Sequence, residues 1–144
     1  MNIINDVLLN PYILSFLVAW IISILIKAYM KSRQHGNRFD IFSGIENGGM
    51  PSSHSTVVSA ITVAILLREG FSSVFVLAFI FSMIIIADSF GLRQNVGIQG
   101  DALNGLLEKS KEKTIKVVYG HTFFQVIVGI VLGALVSIIL FFLL

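Results

Sequence analysis

The chain has 144 residues, 56% of them hydrophobic and only 12% charged, with a mean hydropathy of +0.90. A soluble domain of this size carries roughly 25% charged residues, so the composition excludes an ordinary soluble globular protein and places the chain in a membrane. No cysteine is present, which excludes disulfides, thiolate metal sites and a cysteine nucleophile, and a net charge of +2 is too small to argue for nucleic acid as a partner.

Tyr12 to Met30 is the first predicted span, interrupted by Ser15, Ser23 and Lys27; ~20 apolar residues suffice to cross a bilayer core. A secretory signal fits the run less well, because no Lys or Arg precedes it and it exceeds the ~7–15 apolar residues of a signal core. Positive charge follows instead, as Lys31, Arg33 and Arg38. From Lys31 to Met50 the composition turns polar and glycine-rich, with Gly36, Gly44, Gly48 and Gly49, and predicts a loop.

That loop ends in the stretch Asn47-Gly48-Gly49-Met50-Pro51-Ser52-Ser53-His54-Ser55. The glycines free the backbone, proline stops any helix arriving from upstream, and serine caps the helix that follows. A helix start of this kind turns unpaired N–H groups toward whatever lies before it, which favours an anion such as phosphate, with His54 beside it in the first turn. Ser52 to Leu67 is the second span, short at roughly 24 Å by the rise of an α-helix. Its small residues Thr56, Ala60 and Ala64 recur every fourth position and let another helix approach closely.

Arg68-Glu69-Gly70 predicts a tight turn and Phe71 to Ala87 a third span, so the second and third helices are antiparallel neighbours. Asp88 to Tyr119 is polar again, with Gly91, Gly97, Gly100 and Gly105, and its Leu103 to Lys116 portion predicts an amphipathic surface helix carrying Lys109, Lys111, Lys113 and Lys116. Gly120-His121-Thr122 opens the fourth span, which runs to Leu144 and contains Gln125. Its stripe Gly129, Gly133 and Ser137 is a packing surface, and a homodimer through it is one use.

The expected architecture is therefore all-α: one domain over residues 1–144, an integral membrane bundle of about four transmembrane helices with two polar loops on one side. Nine of the ten Lys and Arg lie on that side, Arg68 being the exception. The positive-inside rule makes those loops cytoplasmic and puts both termini of a multi-pass cell-membrane protein outside.

Lys27, His54, Asp88, Arg93 and His121 all fall at that cytoplasmic edge. Charges at membrane depth are costly unless paired or used, so their convergence is a functional signal. Two histidines with Lys and Arg form an anion-handling set. Carboxylates are few and neither His-x-x-x-His nor Glu-x-x-His spacing occurs, so no metal or other cofactor is expected.

Gly48 to Ser55, Asp88-Ser89-Phe90-Gly91-Leu92-Arg93, Gln99, Leu103-Asn104 and Gly120-His121-Thr122 resemble, in this order, the divergent phosphatidic-acid-phosphatase family. That family is a small membrane branch of the type 2 phosphatidic acid phosphatase and vanadium haloperoxidase superfamily. The resemblance implies a metal-free phosphatase acting on a lipid phosphomonoester or diphosphate through a phosphohistidine. By it His121 is the nucleophile and His54 the acid that protonates the leaving alkoxide. Arg93, Lys27, Ser52 and Ser53 would bind phosphate, with Gln125 and Asp88 in support.

Three departures stand against the superfamily pattern. Ser53 replaces a glycine, Gln125 occupies the position of an aspartate four residues after the nucleophile, and the Arg-Pro of the first motif is absent. These motivate a rival expectation, a non-catalytic phospholipid-binding or scaffold protein that keeps the anion site. A carrier is disfavoured by the lack of a broken helix, and haloperoxidase chemistry belongs to larger soluble members.

Overall fold

The computed structural model describes residues 9–35, 39–45 and 48–144; Gly36, Arg38 and Asn47 of the first predicted loop lie outside them. The described residues form α1 (Pro11–His35), a short α2 (Ile41–Ile45), α3 (Ser53–Glu69) and α4 (Ser73–Ala87). A π-helical turn (Asp88–Leu92), α5 (Arg93–Lys109) and α6 (Phe123–Leu143) follow. No strand occurs among them, and the all-α membrane bundle stands.

The helix in the middle is α3. It packs on α6, α1 and α4, and apart from Ile65 the residues it buries are small or hydroxyl-bearing: Ser55, Thr56, Ser59, Ala60, Thr62 and Ala64. Side chains this short let three neighbours come close at once. The closest is α6, which runs parallel to α3. A Cβ added at Gly129 would stand 2.6 Å from the Ser52 carbonyl oxygen, and one at Gly133 would run into the Thr56 carbonyl oxygen. Ser137 Oγ donates to the Ala60 carbonyl at 2.6 Å. The small-residue stripe of α6 is thus consumed inside the chain, which corrects its expected use as a dimer face. Ala19, Ala60 and Val136 form the apolar centre of α1, α3 and α6, with Val18, Ile22, Leu132 and Leu140 around them.

The other two neighbours are antiparallel to α3. Tyr12 Oη donates to Glu69 at one end of the α1 contact, and Lys27 reaches Ser53 at the other. On the α4 side Thr62 and Ser82 share a hydrogen bond of 2.7 Å. Three helices are long and apolar enough to cross a membrane, over Pro11–Gln34, Ser73–Lys109 and Phe123–Leu143. The 17 residues of α3 fall short of that length. Even so, its contacts with α1 run from its first residue to its last, so it passes through the same thickness.

Both polar segments differ from expectation. Between Lys31 and Met50, α1 continues to His35 and α2 packs on it. Gly44 lies against the Ile24 carbonyl and Ala28. The expected Leu103–Lys116 surface helix begins ten residues earlier and ends at Lys109. There Glu112 N–H bonds the Leu107 carbonyl and Lys111 N–H the Glu108 carbonyl, with Lys111 at φ 59°. This is the reverse turn that commonly ends helices, made here without glycine.

The chain then returns along α5. Asn104 exchanges both its amide hydrogen bonds with the Ile115 backbone, at 2.9 and 2.8 Å, and Tyr119 Oη donates to Asp101. Gly97 and Gly100, which read as loop residues in the sequence, are slots for Tyr119 and Val117: added Cβ atoms would stand 2.7 Å and 3.0 Å from those side chains.

Gly133→Leu is expected to destabilise the fold by about 3 kcal/mol or more, because the obstacle is backbone. Gly105→Leu, where an added Cβ meets nothing within 4 Å, leaves stability near wild type. Thermal unfolding of both variants in detergent checks this pair.

Candidate functional site

The site forms where α1, α3 and α6 meet at one end of the bundle, at the level of Lys27, Ser53 and His121. Ser52 is the N-cap of α3, its hydroxyl accepting from the Ser55 N–H at 3.4 Å and from Ser55 Oγ at 3.0 Å. Its own N–H bonds the Gln125 carbonyl at 3.1 Å, and its carbonyl accepts from Thr56. Ser52 is fully buried and therefore fixes α3 against α6. Ser53, one residue on, faces the cavity.

That cavity has a volume of about 460 Å³. Lys27, Ser53, His54 and His121 stand at its polar part, and Phe16, Trp20 and Ile85 contribute to an apolar wall between α1 and α4. Lys27 is only 3% exposed. Its ammonium donates to Ser53 Oγ at 3.0 Å and has no carboxylate partner among the described residues. An ammonium has three donors, so two are left for something else. Ser53 accepts from Lys27 and lies 3.2 Å from Ser23 Oγ, whose own hydrogen goes to the Trp20 carbonyl at 2.8 Å. Burying an ion without a counter-charge costs several kcal/mol, and an anion in the cavity offsets that cost.

His121 arrives from the segment that returns along α5. Its N–H bonds the Ser89 carbonyl in the π turn at 3.0 Å. Gly120 passes so close to the helix that a Cβ would stand 2.6 Å from Gln94 N and 2.7 Å from Ser89 O. Gln125 then fixes the ring. Its Oε1 accepts the Thr122 N–H at 3.0 Å as part of a capping box, so the atom facing His121 Nδ1 at 3.2 Å is an acceptor. Nδ1 therefore carries hydrogen and Nε2 keeps its lone pair. Burial holds the His121 pKa below its ordinary value, with hydrogen bonds to Gln125 and to the Gly49 backbone pulling the other way and the Lys27 charge adding to the depression.

The rings of His54 and His121 have centroids 6.5 Å apart and are tilted by 59°. His54 has no hydrogen-bond partner among the described residues. Arg93, by contrast, stands outside the cavity lining, its Nε bound to Asp88 at 2.7 Å. Asp88 orders that arginine. Of the residues named from the sequence, the structure brings Lys27, Ser53, His54, His121 and Gln125 together, makes Ser52 a cap, and keeps Arg93 with Asp88 at the rim.

Sequence reasoning missed Ser23, Ser89 and Gly120. Gly120 and Ser89 stand inside the motif stretches, which gave no sign of their contact with one another; Ser23 is a serine in an apolar run and carried no signal. No group of three or more His, Cys, Asp or Glu that could hold a metal occurs among the described residues.

A multi-pass helical membrane protein with a buried cationic pocket at one end of its bundle is the class these features define. The chain belongs to the Divergent PAP2 family, whose profile it matches over residues 8–136. It is also 31% identical over 156 residues to the uncharacterized membrane protein YuiD of Bacillus subtilis strain 168, covering 94% of this chain and 96% of that relative. No solved structure matches it significantly.

The His121 imidazole should titrate below about 6.5, the ordinary value for histidine, in a pH series of ring resonances by NMR. Gln125→Glu should move it upward, since a carboxylate favours the imidazolium. With the pKa depressed, neutral His121 persists to lower pH than a free imidazole. The stability tied to it is lost as pH falls through that range. A His121 that titrates at or above the ordinary value contradicts the burial argument.

Proposed function

We propose that the protein hydrolyses a phosphomonoester or diphosphate carried by a lipid, with a phosphohistidine intermediate and no metal. The observation that carries the reading is Lys27, a buried ammonium whose partner among the described residues is a serine hydroxyl. In the same cavity are two imidazoles and an apolar wall. Phosphoryl transfer asks chiefly for positioned positive charge and a basic nucleophile, and a lipid tail suits the wall.

In this reading Lys27 and Ser53 hold the phosphoryl oxygens. The Nε2 lone pair of His121 attacks phosphorus, the N–P bond forms and the P–O bond to the lipid breaks, while His54 as imidazolium gives its proton to the departing alkoxide. Water then attacks phosphorus, His54 takes its proton, and the N–P bond breaks to release orthophosphate. Arg93 bears on the reaction from the rim.

A second reading is favoured by Gln125. A neutral amide, also engaged in a helix cap, supports the imidazolium of a transferring His121 less than a carboxylate does. The protein would then bind lipid phosphate without turning it over.

Phosphate release from a panel of lipid phosphates in detergent separates the two. His121→Ala should fall to background with loss of any trapped phosphohistidine, and His54→Ala should lose about 10²–10⁴-fold, the usual contribution of general acid catalysis. Equal release from all three folded proteins sinks the enzyme reading.

The charge distribution supports a cytoplasmic site with the termini outside. A reporter fused after Leu144 should accordingly read external; a cytoplasmic signal reverses the orientation.

A further inference from the structure

From α4 through the π turn into α5 the helix runs without a break over Ser73–Lys109, 37 residues, or about 55 Å at the rise of an α-helix. A bilayer core accounts for about 30 Å of that. Asp88, Arg93, Asp101, Glu108 and Lys109 all fall in its C-terminal part, so α5 stands in the aqueous phase. Among the described residues it packs on the π turn and the returning segment, and most of its surface is open.

On that surface Leu92, Val96, Leu103 and Leu106 are 63%, 54%, 46% and 62% exposed. With the exposed Gln99 their spacing is four, three, four and three, which is the seam of a left-handed coiled coil. At about 100° per residue the seam lies roughly 130° round the helix from Gly97, Asn104 and the returning segment. Leaving it open therefore does nothing for the fold of the single chain.

We infer that this seam is the contact surface for α5 of a second copy of the same chain. Two copies in one membrane share one orientation, so a two-fold axis along the membrane normal brings the two α5 helices together parallel and in register. That is the arrangement a seam of alternating three and four spacing fits. Gln99 then faces Gln99, and each amide has both the donor and the acceptor the other needs.

Charge agrees. The seam itself holds none, and Arg93, Asp101, Glu108 and Lys109 lie off it. The flanking positions that would face one another across the pair, Asn95 with Gly100 and Ala102 with Leu107, set no like charges together. Lying flat on the bilayer would instead require a sharp bend within the π turn, whose flanking residues Ala87, Asp88, Leu92 and Arg93 keep helical backbone angles.

Such a dimer does not depend on the enzyme reading. It is tested by cross-linking in native membranes, where the absence of cysteine makes single-cysteine variants unambiguous. Gln99→Cys and Leu103→Cys should form disulfide-linked dimers under mild oxidation, whereas Ile98→Cys and Gly105→Cys, on other faces of α5, should remain at least tenfold less linked. In lipid nanodiscs the intact chain should have the mass of a dimer and the Val96→Glu, Leu103→Glu double variant that of a monomer. The surface substitutions leave the bundle intact, so the unfolding temperature serves as a control. Equal linking at all four positions, no linking at 99 and 103, or quenching of a Leu103→Cys fluorophore by a lipid-borne quencher each overturns the inference.

Discussion

Backbone-to-backbone contact between α3 and α6 fixes where the polar groups of the site stand. Gly129 and Gly133 let the Ser52 and Thr56 carbonyls come within reach, and the Ser52 N–H is tied to the Gln125 carbonyl. The start of α3, which carries Ser53 and His54, is thereby set in register with the start of α6, which carries the hydrogen bond that orients His121. A larger residue at either glycine would separate the two helices and the two imidazoles together. Packing and chemistry share one register.

The second determinant is electrostatic. Lys27 comes from the antiparallel α1 and enters the bundle at the level of Ser53. Its neighbours could have neutralised it with a carboxylate but present hydroxyls and imidazoles instead. The Asp88 carboxylate, at the cavity's rim, is committed to Arg93. A negative group inside the cavity would cancel an anionic ligand. The arrangement keeps carboxylates out of the cavity lining, and Asp88 orders the π turn by pairing with Arg93 rather than with Lys27.

Much of this was legible in the chain. Long apolar runs define α1, α4 and α6, and the Gly48 to Ser55 stretch announces a capped helix start. The separate roles of the two serines could not be read. Ser52 and Ser53 are alike in sequence, and only the rotation of α3 against α6 buries one and turns the other to the cavity. Glycine misled in the second polar segment. Gly97 and Gly100 look like helix breakers, yet they lie within α5, because the returning chain needs their bare surface. The stripe on α6 carried the right meaning, close approach, and left the partner open, since periodicity cannot tell a helix of the same chain from one of another.

The central claim is that the buried ammonium is there for an anion. The direct measurement is thermal unfolding of the intact chain and of Lys27→Met, each with and without millimolar orthophosphate or orthovanadate. A bound anion stabilises the folded state by mass action, and an apolar residue of similar length in place of a buried charge leaves the fold intact or firmer. An anion-dependent rise in unfolding temperature is expected for the intact chain and none for a folded Lys27→Met. An equal response from both proteins, or none from either, would contradict the claim.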